Sequence, residues 1–390
     1  MTIVLVGGGS GGHITPILAV AEQLKKIEPN IKLIYIGQKG DKFADLPASS
    51  PFIDKVYSIS AGKFRRYHGE GIKQLLDAPT TFKNARDMIR VKVGFVQSMS
   101  LLAKIKPDAV FIKGGFVGLP VGLAAAMKHI PYVTHDSDAI PGLANRLIAK
   151  WASVHAVAMP AELYKYPKDK IEYVGVPITA LYSKLSADLV SSYRKKLDLD
   201  KYDKVILVTG GGLGALRLNN GVQLISQDLL EEYPDLAIVH VSGSTQEKDV
   251  EQYYDSNLPS ELRNRVKVLG FTTELHAYSA VADVVISRAG ATHMAEMAAQ
   301  SKACVVVPNP NLTGGHQTKN ASYLADAGAI RLVTEDQIAK DPSILRFVVK
   351  ELLDNKNSRH DLGIKLHSFN MPNAAVDLAE ILLKVSKNEI

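Results

Sequence analysis

Three short stretches of the chain combine residue types at spacings that can do chemistry. The first is Gly7-Gly8-Gly9-Ser10-Gly11-Gly12-His13. Glycines let a backbone take positive φ and approach a ligand closely, and free N–H groups at a helix start favour an anion. A histidine beside such a turn is suited to act as general base or to donate toward developing charge; a capping or packing histidine is the plain alternative. The second is Gly290-Ala291-Thr292, whose amides suit a phosphate, with Glu296 further along the same expected helix. A carboxylate there can accept from both hydroxyls of a ribose, or simply be solvated. The third is His316-Gln317, in a loop after the apolar run ACVVVP. Imidazole and amide groups at that place can read sugar hydroxyls or meet solvent. No GxxxxGK[ST] occurs, which argues against a P-loop nucleotidase. The first glycine turn is not a clean GxGxxG followed by an acid about 20 residues on, which weakens a dinucleotide-dependent oxidoreductase.

The elements that must carry these residues are strand–turn–helix units. TIVLV (2–6), IKLIYIG (31–37), DAVFIKGG (108–115) and PYVTH (131–135) read as buried strands, with helices expected from about Thr15 to Ile27, up to about Lys106, and over 117–127. The pattern restarts at KVILVTGGGLGALRLNNGV (204–222) and continues through LAIVHVSG, VKVLGF, DVVISRAG and ACVVVPNP. Apolar strands alternating with helices mean parallel α/β sheets. The expected division is 1–176, a polar Lys/Ser-rich linker at 177–203, 204–371, and a C-terminal helix at 372–390 that packs back on the first domain. Two doubly wound units place a binding crevice at the carboxyl ends of the strands, between the domains.

Composition narrows the classes. The 390 residues are 46% hydrophobic and 22% charged, which is globular rather than disordered. A single cysteine, Cys304, excludes a disulfide framework and a zinc ribbon. The start MTIVLVGGG lacks a basic region and does not read as a signal peptide. The longest nearly apolar stretch, 116–127, is too short to span a bilayer, which takes about 18 residues or more. Residues 1–150 carry 20 Lys+Arg against 11 Asp+Glu, whereas residues 201–390 carry 19 against 23. A basic first half is expected to meet something anionic, unless the asymmetry is drift in surface composition.

Taken together the motifs resemble the GT-B glycosyltransferases of the MurG type. The matching pieces are GGGSGGHITP (7–16), SAGKFRRY (60–67), KGGFVGLPVGLAA (113–125), PGLANRLIA (141–149), VGVP (174–177), GGGLGALRLN (210–219), GF (270–271), SRAGATHMAE (287–296) and HQTKNA (316–321). Their order and spacing fit over more than 300 residues. The resemblance implies two Rossmann-like doubly wound parallel-sheet domains with an inter-domain cleft. It also implies inverting transfer of N-acetylglucosamine from UDP-GlcNAc to lipid I, the undecaprenyl-diphosphate-linked N-acetylmuramyl-pentapeptide, giving lipid II for peptidoglycan, and with it cell shape and division. By the same resemblance Glu296 holds the donor ribose. Ala291, Thr292, His293 and the second glycine turn with Gly212 cradle the diphosphate, Phe271 lies near the uracil, and His316 and Gln317 contact the donor sugar. Ser10, Gly11, Gly12, His13 and Asn145 face the acceptor and leaving group. Lys63, Arg65 and Arg66 face the membrane or the acceptor diphosphate. Helix-start amides stabilise the departing UDP, so no metal or other cofactor is expected. The implied address is cytoplasmic and peripheral on the inner membrane face, a reading to which basic residues 63–66 and apolar sequence at 94–102 contribute; a buried helix face is the alternative for the latter. Nucleic acid is not an expected partner.

The sequence also departs from that family. HEQN becomes His135-Asp136-Ser137-Asp138, so an Asn expected at the acceptor hydroxyl is Asp138, which stands beside His13 as a candidate base. The Asp136-Ser137-Asp138 triplet resembles a metal-binding DxD of another glycosyltransferase fold, which this fold does not use. GGSQGAR becomes GGGLGAL, changing Gly212 and Leu213, and an Arg near the nucleotide becomes Thr179. Two other readings therefore stand beside the first: a related glycolipid hexosyltransferase with another acceptor, and a catalytically weakened nucleotide-sugar-binding accessory protein.

Overall fold

The computed structural model describes residues 1–62, 78–183, 186–212, 214–312 and 315–390, with the backbone alone for 78–83. The chain forms two compact units. One comprises Met1–Thr179, Asn311–His316 and Met371–Ile390; the other comprises Ala180–Pro310 and Gln317–Asn370.

The first unit holds a seven-stranded parallel sheet of β1 (Thr2–Val6), β2 (Lys32–Gln38), β3 (Lys55–Ile59), β4 (Ala109–Ile112), β5 (Tyr132–Asp136), β6 (Val154–Val157) and β7 (Ile171–Tyr173), in the order β3-β2-β1-β4-β5-β6-β7. Val4 of β1 lies between Ile34 of β2 and Val110 of β4. Successive side chains of a strand point to opposite faces, so a strand buried on both faces must be apolar throughout. β1 obeys this. Ile3 and Leu5 enter a core with the Gly11–Ile27 helix, and Val4 and Val6 enter a second core with the Ala78–Ile105 and Gly118–Met127 helices. The C-terminal helix Ala374–Ser386 belongs to this unit, with Leu378, Leu382 and Val385 packed in the same core as Ile3 and Leu5.

The second unit holds a six-stranded parallel sheet of β8 (Lys204–Thr209), β9 (Leu236–Val241), β10 (Val266–Leu269), β11 (Val284–Ser287), β12 (Cys304–Val306) and β13 (Arg331–Leu332), in the order β10-β9-β8-β11-β12-β13. Both sheets reverse direction of growth beside their first strand, between β1 and β4 and between β8 and β11. In open α/β sheets that point is where the loops at the carboxyl edge part to admit a ligand.

The stretch 177–203 is not simply a linker. Residues from Ala180 onward belong to the second unit and include the Ala187–Lys196 helix, capped by Ser186, whose Oγ accepts from Leu189 N. Arg194 donates to Tyr202 O and Val281 O, and Leu197 and Leu199 are buried. The Lys and Ser residues that suggested a linker are the solvated side of this segment.

Three fully buried histidines make the fold acid-sensitive. Burial holds His240 down to about 3 and His155 to about 4, and keeps His135 well below its ordinary value. His240 is a neutral ring held between Tyr254 Oη and Asn219 Oδ1. The unfolded chain takes up these protons near pH 6.5 while the native chain does not. Stability is therefore complete above that pH and falls as pH drops toward 4, by up to about 1.4 kcal/mol per pH unit for each ring. A Tm lower at pH 5.0 than at pH 7.5 by about 5–10 °C is the expected result; an unchanged Tm would contradict neutral burial of these rings.

Candidate functional site

At the carboxyl edge of the first sheet, two glycine turns touch. Gly115 follows β4 with φ +76°, and a Cβ on it would lie 2.8 Å from Gly8 O and 3.4 Å from His13 Nδ1, so only glycine fits. The Gly11–Ile27 helix starts without a side-chain cap, and His13 N donates back to Ser10 O at 3.1 Å. His13 Nδ1 lies 3.1 Å from Gly8 O and 3.2 Å from Ser10 Oγ. A carbonyl oxygen only accepts, so Nδ1 carries the hydrogen and Nε2 the lone pair. Burial, and then the charge of Lys113, push His13 down to about 4. At neutral pH it is an unprotonated base.

Asp136, Asp138 and Asn145 belong to the same edge but play different parts. Asp136 is buried and fully engaged: Oδ1 accepts from Gly142 N at 2.9 Å and Asn145 Nδ2 at 3.1 Å, and Oδ2 accepts from Tyr166 Oη at 2.8 Å. Burial raises its pKa, against those hydrogen bonds. Its role is to fix the loop after β5, and the DxD triplet is not free to act as a paired metal clamp. Among the described residues no group of three or more His, Cys, Asp or Glu is arranged to hold a metal ion. Asp138 is partly exposed, and its backbone carbonyl accepts from Tyr164 Oη. Asn145 also donates to His135 O, and its Oδ1 is buried without a hydrogen-bond partner. Lys63, Arg65 and Arg66 lie outside the described residues.

The second unit carries its own open edge. The Ala291–Ala299 helix begins at Gly290 with no side-chain cap, so the amides of Ala291, Thr292 and His293 form its N-terminal turn. The preceding turn is pinned: Arg288 donates to Val307 O and pairs with Glu335, and Asn320 Nδ2 donates to Ala289 O. Glu296 is largely buried, receives a hydrogen bond from Tyr182 Oη and lies 3.5 Å from His293 Nδ1. His293 Nε2 is buried without a partner. The turn after β8 contains Gly212, which is exposed, and closes at Gly214, where φ is +78° and a Cβ would lie 2.5 Å from Ser242 O. Phe271 follows β10 with its ring half exposed. His316, the last residue of the 311–316 stretch that belongs to the first unit, and Gln317, of the second, open the His316–Asp326 helix rather than lying in a loop, and Gln317 Oε1 accepts from Asn309 N.

The sequence did not single out Lys113, Tyr166 or Tyr182. A lysine ending the apolar strand AVFI was a legible signal for the first. Nothing in the sequence linked Tyr182 to Glu296. Asp41 was also missed; its Oδ2 accepts from Gly9 N at 2.6 Å and so occupies one amide of the first glycine turn.

Two parallel sheets, each with its reversal beside the first strand and a glycine-lined carboxyl edge, define the chain as a GT-B protein of two Rossmann-like domains. Residues 3–157 match the glycosyltransferase family 28 N-terminal domain and residues 205–377 the family 28 C-terminal domain. A UDP-N-acetylglucosamine–N-acetylmuramyl-(pentapeptide) pyrophosphoryl-undecaprenol N-acetylglucosamine transferase of Clostridium perfringens is 32% identical over 389 residues, 98% of each chain. One of the same name from Natranaerobius thermophilus is 29% identical over 98% of this chain and 99% of its own. The crystal structure of Acinetobacter baumannii MurG superimposes with a TM-score of 0.70 at 25% identity, covering 98% of this chain and 99% of that one. The chain belongs to the MurG-type glycosyltransferases of family 28.

Proposed function

We propose that this protein transfers N-acetylglucosamine from UDP-GlcNAc to lipid I, with inversion, forming lipid II and releasing UDP. The observation that carries the reading is the match, along nearly the whole of both chains, to relatives named for that reaction. The chemistry of the two edges supports it. The acceptor 4-hydroxyl oxygen attacks the anomeric carbon as the bond to the UDP oxygen breaks, through an oxocarbenium-like transition state. The hydroxyl proton passes to His13 Nε2, the ring atom with a free lone pair. Negative charge growing on UDP is met by the amides at the start of the Ala291–Ala299 helix, preorganised donors that need no metal. Glu296 accepts from the donor ribose, Phe271 flanks the base, and Gln317 with His316 reads the sugar.

The test is UDP release from a panel of UDP-sugars and lipid acceptors. Release that requires both UDP-GlcNAc and lipid I is expected. A folded protein that binds UDP yet shows no turnover with this pair sinks the reading, and turnover with another lipid acceptor replaces it with the glycolipid transferase.

The acceptor's lipid anchor calls for a membrane-facing surface. No helix among the described residues is long and apolar enough to cross a membrane. The Ala78–Ile105 helix packs Gly94, Ser98 and Leu102 inward, and Phe95 and Leu101 against the same core, so one side of 94–102 is a buried face. Met88, Ile89, Val93 and Val96 instead face solvent, with Arg86, Arg90 and Lys92 also exposed among them. An apolar stripe edged with cations suits an anionic bilayer surface. Flotation with anionic vesicles is expected to be salt-sensitive and to drop at least severalfold in the Ile89→Asp, Val96→Asp double variant. Equal flotation of both proteins would remove this helix from the contact.

A further inference from the structure

Glu335 is a carboxylate at a place where burial is costly. It is 6% exposed and is the first residue of the Glu335–Lys340 helix in the second unit. Its neighbours fix where it stands. Thr334 and Gln337 close a capping box at the start of that helix. Ile338, one turn on, packs where Gly221 of the Leu216–Glu232 helix leaves room; a Cβ on Gly221 would lie 2.8 Å from Ile338 Cγ2. Each oxygen of Glu335 then takes a separate guanidinium. Oε2 accepts from Arg217 Nη1 at 2.9 Å, and Oε1 pairs with Arg288 Nη2 at 2.5 Å. Arg217 lies in the first turn of the helix that leaves the glycine turn after β8. Arg288 directly follows β11, two residues before Gly290. The second sheet reverses between these same two strands. One side chain therefore joins the elements that carry both donor-side glycine turns.

Stability alone does not account for such a triad. Charges removed from water recover little net energy by pairing, and apolar side chains of similar volume often serve a fold as well or better. Arg217 is moreover 62% exposed, which weakens its pair through solvent screening. Geometry is what apolar packing cannot supply. Two carboxylate oxygens hold two guanidinium groups at set distances, and Arg288 in turn donates to Val307 O at 2.9 Å, at the end of the neighbouring strand. Resting on the donor chemistry proposed above, we infer that Glu335 is a positioning residue. Through Arg217 and Arg288 it sets the separation of the turns after β8 and β11, so that both meet one diphosphate. It touches no substrate itself. Displacing binding groups by about 1 Å is enough for a large loss of function.

The triple variant Arg217→Met, Arg288→Met, Glu335→Leu removes all three charges together and leaves no ion unpaired. Its Tm is expected to equal or exceed that of wild type. Its affinity for UDP, read by calorimetry, is expected to fall at least tenfold. Its affinity for uridine, read by competition, is expected to stay within twofold, because uridine carries no phosphate. Should the triple variant not fold, Arg217→Gln breaks only the exposed arm and is expected to weaken UDP at least threefold, again with uridine unchanged. Equal losses for UDP and uridine overturn the inference, since they mark a general disturbance of the unit. Unchanged affinity for both overturns it too, whatever the Tm, and leaves a merely structural triad. If wild type binds UDP but transfers no sugar, the proposed transfer fails on its own, while the ratio of UDP to uridine affinity still decides the role of Glu335. If wild type binds UDP no more tightly than uridine, the two turns hold no diphosphate and the inference is overturned.

Discussion

Glu296→Ala is expected to lower kcat/KM for UDP-GlcNAc about 100-fold or more, chiefly through KM for the donor. The carboxylate is largely buried, and Tyr182 Oη donates to it, which fixes its direction. A ribose offers two hydroxyls to the remaining lone pairs. Hydrogen bonds to a charged group contribute about 1.5–3 kcal/mol each, so losing the pair costs about 3 kcal/mol or more. Tyr182→Phe removes only the orienting contact and is expected to cost about tenfold, with the lipid I KM unchanged. The readout is steady-state kinetics with each substrate varied in turn, beside calorimetric binding of UDP. Unaltered UDP affinity in Glu296→Ala would show that this residue does not hold the ribose.

His13→Ala is expected to lower kcat about 10²–10⁴-fold with donor affinity intact, as for removal of a general base. The pH profile separates this role from a structural one. A base must be unprotonated to work. A histidine of ordinary pKa would be about 90% protonated at pH 5.5, whereas His13 is held near 4. Wild-type kcat is therefore expected to be level from pH 8 to pH 5.5 in assays short enough to precede acid unfolding. An acid limb near 6.5 would exclude His13, in the state this fold gives it, as the base. Asp138→Asn provides the control, since it removes the other candidate. Retained kcat in Asp138→Asn leaves His13 as base, and a collapse comparable to that of His13→Ala moves the role to Asp138.

How much of this was legible depended on whether a feature is local. The apolar runs at 2–6, 31–37, 204–209 and 236–241 are strands buried on both faces, and their composition alone betrays them. β3, β7 and β13 were not read: β3 and β7 are sheet edges with exposed residues, and β13 has only two residues. β6 is fully buried but is VHAV, with a histidine where an apolar residue is expected; His155 is accommodated by Thr134 Oγ1 at 2.7 Å and by stacking on Tyr166. The Ala187–Lys196 helix read as linker because its charges outnumber its apolar residues, and only its contacts with the rest of the second unit give it a place.

The sequence by itself determined the two doubly wound units, the glycine turns, and the candidates His13 and Glu296, because strand-to-glycine-to-helix junctions are contiguous signals whose physics is that of a few adjacent residues. Tertiary structure decided which atoms of those residues are available. Gly8 O fixes the tautomer of His13, and Gly8 reaches it only because Gly115, more than a hundred residues away, has no Cβ. Tyr166 and Asn145 turn Asp136 from a candidate ligand into a brace, while Asp138, two residues on, is partly exposed to solvent. Hydrogen-bond saturation and burial belong to the packed molecule, since they arise between segments that the chain brings together only on folding.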